Sequence, residues 1–256
     1  MRRLTAWCLV TMAFLLGAGW FGNDVAARTL VVAINDAPPY RIVTETSDEP
    51  VYTGIYVDVI REAARRAGID LVFDVVPFKR ALFLMETGEA DLMLGPNRTD
   101  DRVKYMYYFG AALPNEPKVI YTGDVDANVI EVKDLRHKLV GVVRGANYGW
   151  KLNDARDIRF VEAADYETLF KMLDLHRIDA LISPELLAAA YIREFGPFRI
   201  KKSDLLIQGQ PSFIALSRQS DFFLDGSFTI LEQHLIEMRH DGTFEEIYGR
   251  YAQTDS

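Results

Sequence analysis

Asn97, Arg98, Thr99, Asp100, Asp101 and Arg102 follow directly on the apolar run ADLMLGP. A strand end that leads into a helix leaves backbone N–H groups unpaired, and a guanidinium beside them adds a two-pronged donor for a carboxylate. Thr99 is placed to cap such a helix, Asp100 and Asp101 to complement its dipole, and Arg102 falls at its third position. The same six residues also suit a solvated turn in which Arg102 pairs with Asp100 or Asp101, and for an isolated arginine the surface is the commoner place.

A second candidate anion site lies in GVVRGANYG, where Gly145 frees the backbone after a strand and Ala146, Asn147 and Tyr148 lead towards a helix. A plain strand-to-helix turn has the same look. Tyr40 and Phe78 also fall at strand ends, with Arg80 two residues after Phe78, and rings there can enclose the apolar part of a small ligand. Core packing suits Phe78 equally well. In ISPELLAAAYIREFG, Ser183 as N-cap and Pro184 at the first helical position account for each other without any ligand. Glu185 suits the first turn of that helix and equally suits the ammonium group of a ligand. Catalytic signatures are sparse: His137, His176, His234 and His240 lack metal-ligand spacing, and GxSxG, GxxxxGK[ST] and GxGxxG do not occur.

These residues need elements to hold them. LVVAI from Leu30 to Ile34 reads as a buried strand, and two prolines in NDAPPYR forbid a helix after it. YVDVIREAARRAGI places Val57, Ile60, Ala64 and Ala67 on one helical face and stops at Gly68. The strand LVFDVVP, the helix KRALFLMET ending at Gly88 and the strand DLMLG follow. The pattern then returns as the strand KLVGVV, a helix start at YGWKLNDA, the strand IRFVEA, the helix YETLFKMLDLH and the strand DALI. Such alternation predicts βαβ units and parallel sheets covered on both faces. ALFLMETGEADLMLGP and TLFKMLDLHRIDALISP share a Leu-Phe helix, an Asp that opens an apolar strand and a Pro after it, which favours two lobes of like construction. Each lobe presents its binding loops at the strand ends of its own sheet. The tail FTILEQHLIEMRHDGTFEEIYGRY reads as two helices split at Asp241-Gly242. Its apolar positions Ile230, Leu231, Leu235, Met238, Phe244, Ile247 and Tyr248 must pack back on a lobe already made, so the chain crosses between lobes twice.

Arg2 and Arg3 precede an apolar stretch from Leu4 to Phe21, with small residues at Val25, Ala26 and Ala27, the pattern of an export signal cleaved near Ala27. The chain's single cysteine, Cys8, lies inside it. The remainder then has no disulfide, no thiol nucleophile and no cysteine metal site. With 29 basic against 37 acidic residues, a net charge of −8, nucleic acid is not an expected partner. No second apolar span follows, and no Gly/Ser linker divides the chain.

In its order of elements and in three strings the sequence resembles the family 3 extracellular solute-binding proteins, type II periplasmic binding proteins that serve polar amino acid ABC transporters. YTGIYVDVIREAARRAG resembles that family's G-F-x-V-D-L helix, GEADLMLGPNRTDDR its G-x-x-D-x-x-x-G…T-x-x-R segment, and DGTFEEIYGRY its D-G-T-x-x-x-I-x-x-K-Y ending. The resemblance covers nearly all of the chain after the leader. It implies a two-lobed α/β fold in which each lobe is a mostly parallel sheet flanked by helices, joined by a two-strand hinge. Residues 1–27 are then the signal peptide, 28–113 and 212–256 lobe 1, 118–207 lobe 2, and 114–117 with 208–211 the hinge.

By the same resemblance Arg102 grips a ligand carboxylate, with Thr99 beside it and Gly95 and Asn97 on the strand-end loop, while Phe78 and Tyr40 supply rings. Arg80, Gly145, Ala146, Asn147, Ser183 and Glu185 complete the candidate ligand-binding set. The sequence departs from the family where an Asp usually holds an α-ammonium group, since Pro184 stands there, and where Gly-Thr becomes Gly145-Ala146. YFGAALPN replaces FSxPYY. The expectation is an exported, monomeric periplasmic protein that captures a small carboxylate-bearing ligand, an amino acid or a derivative, and delivers it to an ABC transporter permease without a cofactor or metal. The alternative is a periplasmic enzyme on the same fold, similar to the cyclohexadienyl dehydratases, with Glu185 as general acid. A receptor sensory domain is less favoured, because nothing follows Ser256 to carry a signal.

Overall fold

The computed structural model describes residues 28–113, 115–123, 128–149 and 157–252. The expected leader and all but Tyr148 and Gly149 of the helix start expected at 148–155 lie outside them.

β1 (Arg28–Ile34) enters the first sheet, and a small ribbon of β2 (Ile42–Thr44) and β3 (Val51–Thr53) follows. α1 (Ile55–Ala67) stops at Gly68 in the left-handed conformation, as its sequence predicts. β4 (Ile69–Val75), α2 (Phe78–Thr87), β5 (Leu92–Asn97) and β6 (Met106–Tyr108) complete this part. The second sheet begins with β7 (Lys118–Thr122) and continues through β8 (Leu139–Val143), β9 (Arg159–Ala163), α3 (Tyr166–Asp174), β10 (Ala180–Pro184), α4 (Glu185–Phe195) and β11 (Lys201–Ile207). β12 (Ser212–Ser217) returns to the first sheet, and α5 (Asp221–Leu224), α6 (Phe228–His240) and α7 (Thr243–Ala252) follow.

The strand orders are β4-β1-β5-β12-β6 and β9-β8-β10-β7-β11. In both, a parallel core of three strands is extended by an antiparallel pair. The sheets are therefore mixed rather than wholly parallel, because β12 and β7, the strands that follow the two crossings, run against their neighbours. The internal similarity of the sequence has a structural counterpart. α2–β5 and α3–β10 occupy equivalent places, β5 between β1 and β12 and β10 between β8 and β7.

Period-two alternation sorts β1 between two cores. Leu30, Val32 and Ile34 share one with Val57, Ile60 and Ala64 of α1, while Ala33 joins Ala81, Met85 and Met93 on the α2 side. Both tail helices pack on α1. Arg66 donates to Asp241 at 2.6 Å and to Thr243 at 2.9 Å, and Tyr251 donates to Asp58 at 2.8 Å. Leu231, Leu235, Met238, Phe244 and Ile247 are buried there as expected, whereas Ile230 is exposed.

Two local expectations fail. Arg102–Lys104 form a single 3₁₀ turn and not an α-helix, because Met106, Tyr107 and Tyr108 are claimed by pairing with β12. Ser183 does not cap α4. Its register opposite Val119 keeps it extended, as does the proline after it, and its hydroxyl donates to the Pro184 carbonyl at 3.1 Å.

Candidate functional site

Between the two sheets lies a small cavity, about 60 Å³, at the strand ends. The first sheet's side is built by Asn35, Tyr40, Arg41, Phe78, Gly95 and Asn97. The second contributes Val143, Ala146, Asn147, Tyr148, Pro184 and Leu187 from loops and helices, with Tyr166 behind them. Glu116 and Lys118, where the chain crosses from one sheet to the other, close the end.

Six of the residues singled out from sequence meet here: Tyr40, Phe78, Gly95, Asn97, Ala146 and Asn147. Tyr40 is held by stacking on Tyr56, with ring centroids 5.0 Å apart. Gly95 is required twice over, by a φ of +88° and by space, since a Cβ there would meet Arg41 Nη1 at 2.5 Å and the Tyr56 ring at 2.9 Å. Asn97 ties β5 to the returning crossing by donating to the Pro211 carbonyl at 3.2 Å.

Arg102 is buried and takes no part in the surface ion pair that was one alternative; Asp101 pairs with Lys104 instead, at 2.7 Å. Its guanidinium lies 5.7 Å from the centre of the Phe78 ring. One nitrogen donates to Asn97 O at 3.0 Å, and the other reaches across the cleft to Gly145 O at 2.7 Å. Arg102 thus bridges the two sheets at the rim. Thr99 supports it from below, accepting the Arg102 backbone N–H on its hydroxyl at 3.3 Å. Burial lowers the Arg102 guanidinium from its ordinary value, and the Tyr108 and Tyr105 side chains oppose that shift.

At the second anion site Gly145 adopts φ +80°. The N–H groups expected to converge there are partly used already: Ala146 N donates to Val143 O at 3.0 Å, and Gly149 N to the Asn147 side chain at 2.8 Å. Thr99, Arg102 and Gly145 lie at the rim rather than in the cavity lining, and three further predicted residues lie away from it. Arg80 is exposed, pairs with Glu89 at 3.3 Å and lies over Phe83. Ser183 is fully buried behind Pro184. Glu185, the nominated general acid, accepts from Lys202 Nζ at 2.5 Å on the outside of α4. Among the described residues, no three His, Cys, Asp or Glu side chains converge in a way that would hold a metal ion.

Sequence reasoning missed Arg41, Glu116 and Lys118. Arg41 is 7% exposed, donates to Asn35 O at 3.2 Å and Leu94 O at 3.0 Å, and lies 5.8 Å from the Tyr56 ring centre. Burial lowers its pKa, and the carboxylates of Glu116 and Asp36 oppose that shift. The available signal was position, since Arg41 directly follows Tyr40 in the loop at the carboxyl end of the first strand, where α/β sheets bind ligands. Glu116 is fixed by the Tyr56 hydroxyl, by Ser212 Oγ at 3.3 Å and by Lys118 Nζ at 3.4 Å. This knot joins both crossings to α1. Tyr191 of α4 adds another bond across the cleft, donating to Asp36 at 3.3 Å.

The sequence pattern of the Bacterial extracellular solute-binding proteins, family 3, matches residues 30–254. No curated protein sequence matches the chain. Among solved structures, an ancestral arginine-binding protein bound to arginine superposes with a TM-score of 0.76 at 21% identity, covering 87% of this chain and 97% of that one. An amino acid ABC transporter substrate-binding protein from Streptococcus pneumoniae bound to L-arginine gives 0.74 at 21% identity, over 87% and 94% of the two chains. A histidine kinase sensor domain with similarity to periplasmic binding proteins gives 0.73 at 18%, over 88% and 96%. At these identities the likeness establishes the two-lobed fold.

Proposed function

Because the chain belongs to the family 3 bacterial extracellular solute-binding proteins, we propose that it is an exported protein that captures a small carboxylate-bearing ligand between its lobes and presents the closed form to an ABC transporter permease. One observation carries the proposal: a cavity lined by Arg41 and Lys118 lies at the strand ends of two separate sheets, and Arg102 crosses its rim from Asn97 O to Gly145 O. A ligand that touches both walls favours the closed arrangement by its differential affinity, which is how a hinge protein signals occupancy. Tyr40 and Phe78 enclose the ligand, Arg102 and the Gly145 turn hold the lobes together around it, and Asn97, Ala146 and Asn147 complete the contact surface. The hinge is assigned to 114–117 and 208–211, with residues 28–113 and 212–256 as one lobe and 118–207 as the other.

Export rests on the leader at residues 1–27, cleaved near Ala27, with the periplasm as destination. Among the described residues no helix is long and apolar enough to cross a membrane. The protein works as a monomer. The arginine-bound neighbours make an amino acid or a derivative the first class to test.

The test is thermal unfolding of the mature, ligand-stripped protein against amino acids, amines, mono- and dicarboxylates and prephenate. A true ligand at about 100 times its dissociation constant adds about 2.7 kcal/mol, or roughly 5–10 °C for a chain of this size. The same ligand shrinks the radius of gyration in X-ray scattering. No shift with any compound, together with no small molecule released from the natively purified protein, rejects ligand capture. Turnover of prephenate rejects a pure binding role.

A further inference from the structure

Arg41 and Arg102 are 7% and 6% exposed, and each bonds only to backbone carbonyls. A buried guanidinium without a counter-charge is costly, because carbonyl dipoles replace only part of its hydration. The carboxylates nearby are already engaged. Glu116 holds Tyr56, Ser212 and Lys118, and Lys118 neutralises it. Asp36 accepts from Val43 N at 2.9 Å and from Tyr191. Arg41 therefore feels Glu116 and Asp36 only through space, and Arg102 has no carboxylate partner among the described residues.

Their anchors set the geometry. Arg41 hangs on Leu94 and Arg102 on Asn97, three residues apart on β5, which at strand rise puts the two anchor points at most about 10 Å from each other. Among the described residues the opposite wall contributes no acid to the cavity: Val143, Ala146, Asn147, Tyr148, Pro184 and Leu187 offer one amide, one phenol ring and apolar surface. Glu116, the acid at the cavity's end, is already held by Tyr56, Ser212 and Lys118.

Resting on the solute-binding role proposed above, we infer that the ligand is a small dicarboxylate without an ammonium group. One carboxylate is held by Arg41 at the cavity floor and the other by Arg102 at the rim, with Tyr40 and Phe78 against the carbon chain. Arg102 exchanges its bond to Gly145 O for the ligand, or shares it. Arg41 is the residue that separates this site from one built for a single carboxylate.

The inference is tested by calorimetric titration of the mature protein with malonate, succinate, glutarate, butyrate, L-glutamate, L-glutamine, L-arginine and inorganic phosphate. The expected result is that one of the three dicarboxylates binds about 100-fold or more tighter than butyrate, glutamine or arginine. Arg41→Lys, which keeps the charge and the fold but loses the fork, weakens that dicarboxylate about tenfold. Arg41→Gln weakens it further while butyrate binding barely changes, and circular dichroism verifies that both variants are folded. Tight binding of an amino acid with no response to dicarboxylates overturns the dicarboxylate assignment and leaves the solute-binding role standing. Binding of phosphate alone also overturns it, in favour of a compact anion. If no member of this panel binds and no small molecule is released from the native protein, both the assignment and the solute-binding role fall.

Discussion

The two walls of the cleft descend from similar sheets but have different chemistry. The wall on the first sheet carries buried charge, with Arg41 threaded between Gly95 and Tyr56 and Arg102 laid over Phe78. The wall on the second sheet carries rings and apolar groups, and its tyrosines are spent on each other. Tyr148 accepts from Val143 N at 2.9 Å and lies 3.3 Å from the Tyr166 hydroxyl, and burial pushes Tyr148 up to about 12. One wall is therefore built to recognise a charge, while the other shuts out water and strengthens that recognition by lowering the local dielectric. Identical topology does not impose identical sites, because topology fixes only where the loops come together.

The comparison is tested most severely by making the same substitution on both walls. Gly95→Ala forces a Cβ into Arg41 and the Tyr56 ring at a positive φ and is expected to lower stability by about 3 kcal/mol. Gly145→Ala meets the flexible Lys79 side chain at 3.1 Å and Leu82 Cδ1 at 3.4 Å, both of which can give way, and is expected to cost about 1–2 kcal/mol of backbone strain. Urea unfolding of both variants measures the difference. Equal losses would mean that the charged wall is no more rigid than the other.

Removing the bridge comes next. Arg102→Ala deletes the bonds to Asn97 O and Gly145 O and any grip on a ligand, and is expected to weaken ligand binding by about 2 kcal/mol, roughly 30-fold, while the fold persists. An unchanged thermal response to ligand would take Arg102 out of the site.

The smallest effect concerns pH. Burial raises the Asp36 pKa above its ordinary value of 3.8, against the lowering effects of its Val43, Tyr191 and Arg41 neighbours. A carboxyl group raised in the fold favours the native state while it is protonated, and this contribution is lost as pH rises past that ordinary value. Asp36→Asn is therefore expected to be the more stable protein at neutral pH, by about 0.5 kcal/mol, and to match the parent at pH 3. Melting curves at both pH values test this. A variant less stable than the parent at neutral pH would show that the Tyr191 bond across the cleft outweighs the buried charge.

Much of this could be read from the sequence because the signals were local. Gly68 and Gly88 mark the ends of α1 and α2 since only a residue without Cβ turns left-handed there at little cost, and alternation in LVVAI sorts β1 between two cores. The TDDR string pointed to Arg102 through its resemblance to a family pattern. Where tertiary pairing overrode local preference, the reading failed: Thr99 could not start an α-helix because Met106–Tyr108 belong to β6, and Ser183 could not cap α4 because β10 runs on through Pro184.

The sequence by itself determined the elements, their alternation, the lack of cysteine after Cys8 and the acidic balance of the chain, because each depends on residues close along the chain or on composition alone. Only the tertiary structure decided which charges are buried. Arg41 and Arg80 are both arginines next to an aromatic strand end, yet one is sealed under Tyr56 and Gly95 while the other pairs with Glu89 in solvent. Glu116 and Glu185 are both acids beside the cleft, yet one is knotted to Tyr56, Ser212 and Lys118 and the other faces Lys202 on the outside. The cost of burying a charge depends on groups brought together from as far apart as residues 41, 94, 116 and 212, and no local pattern contains that information.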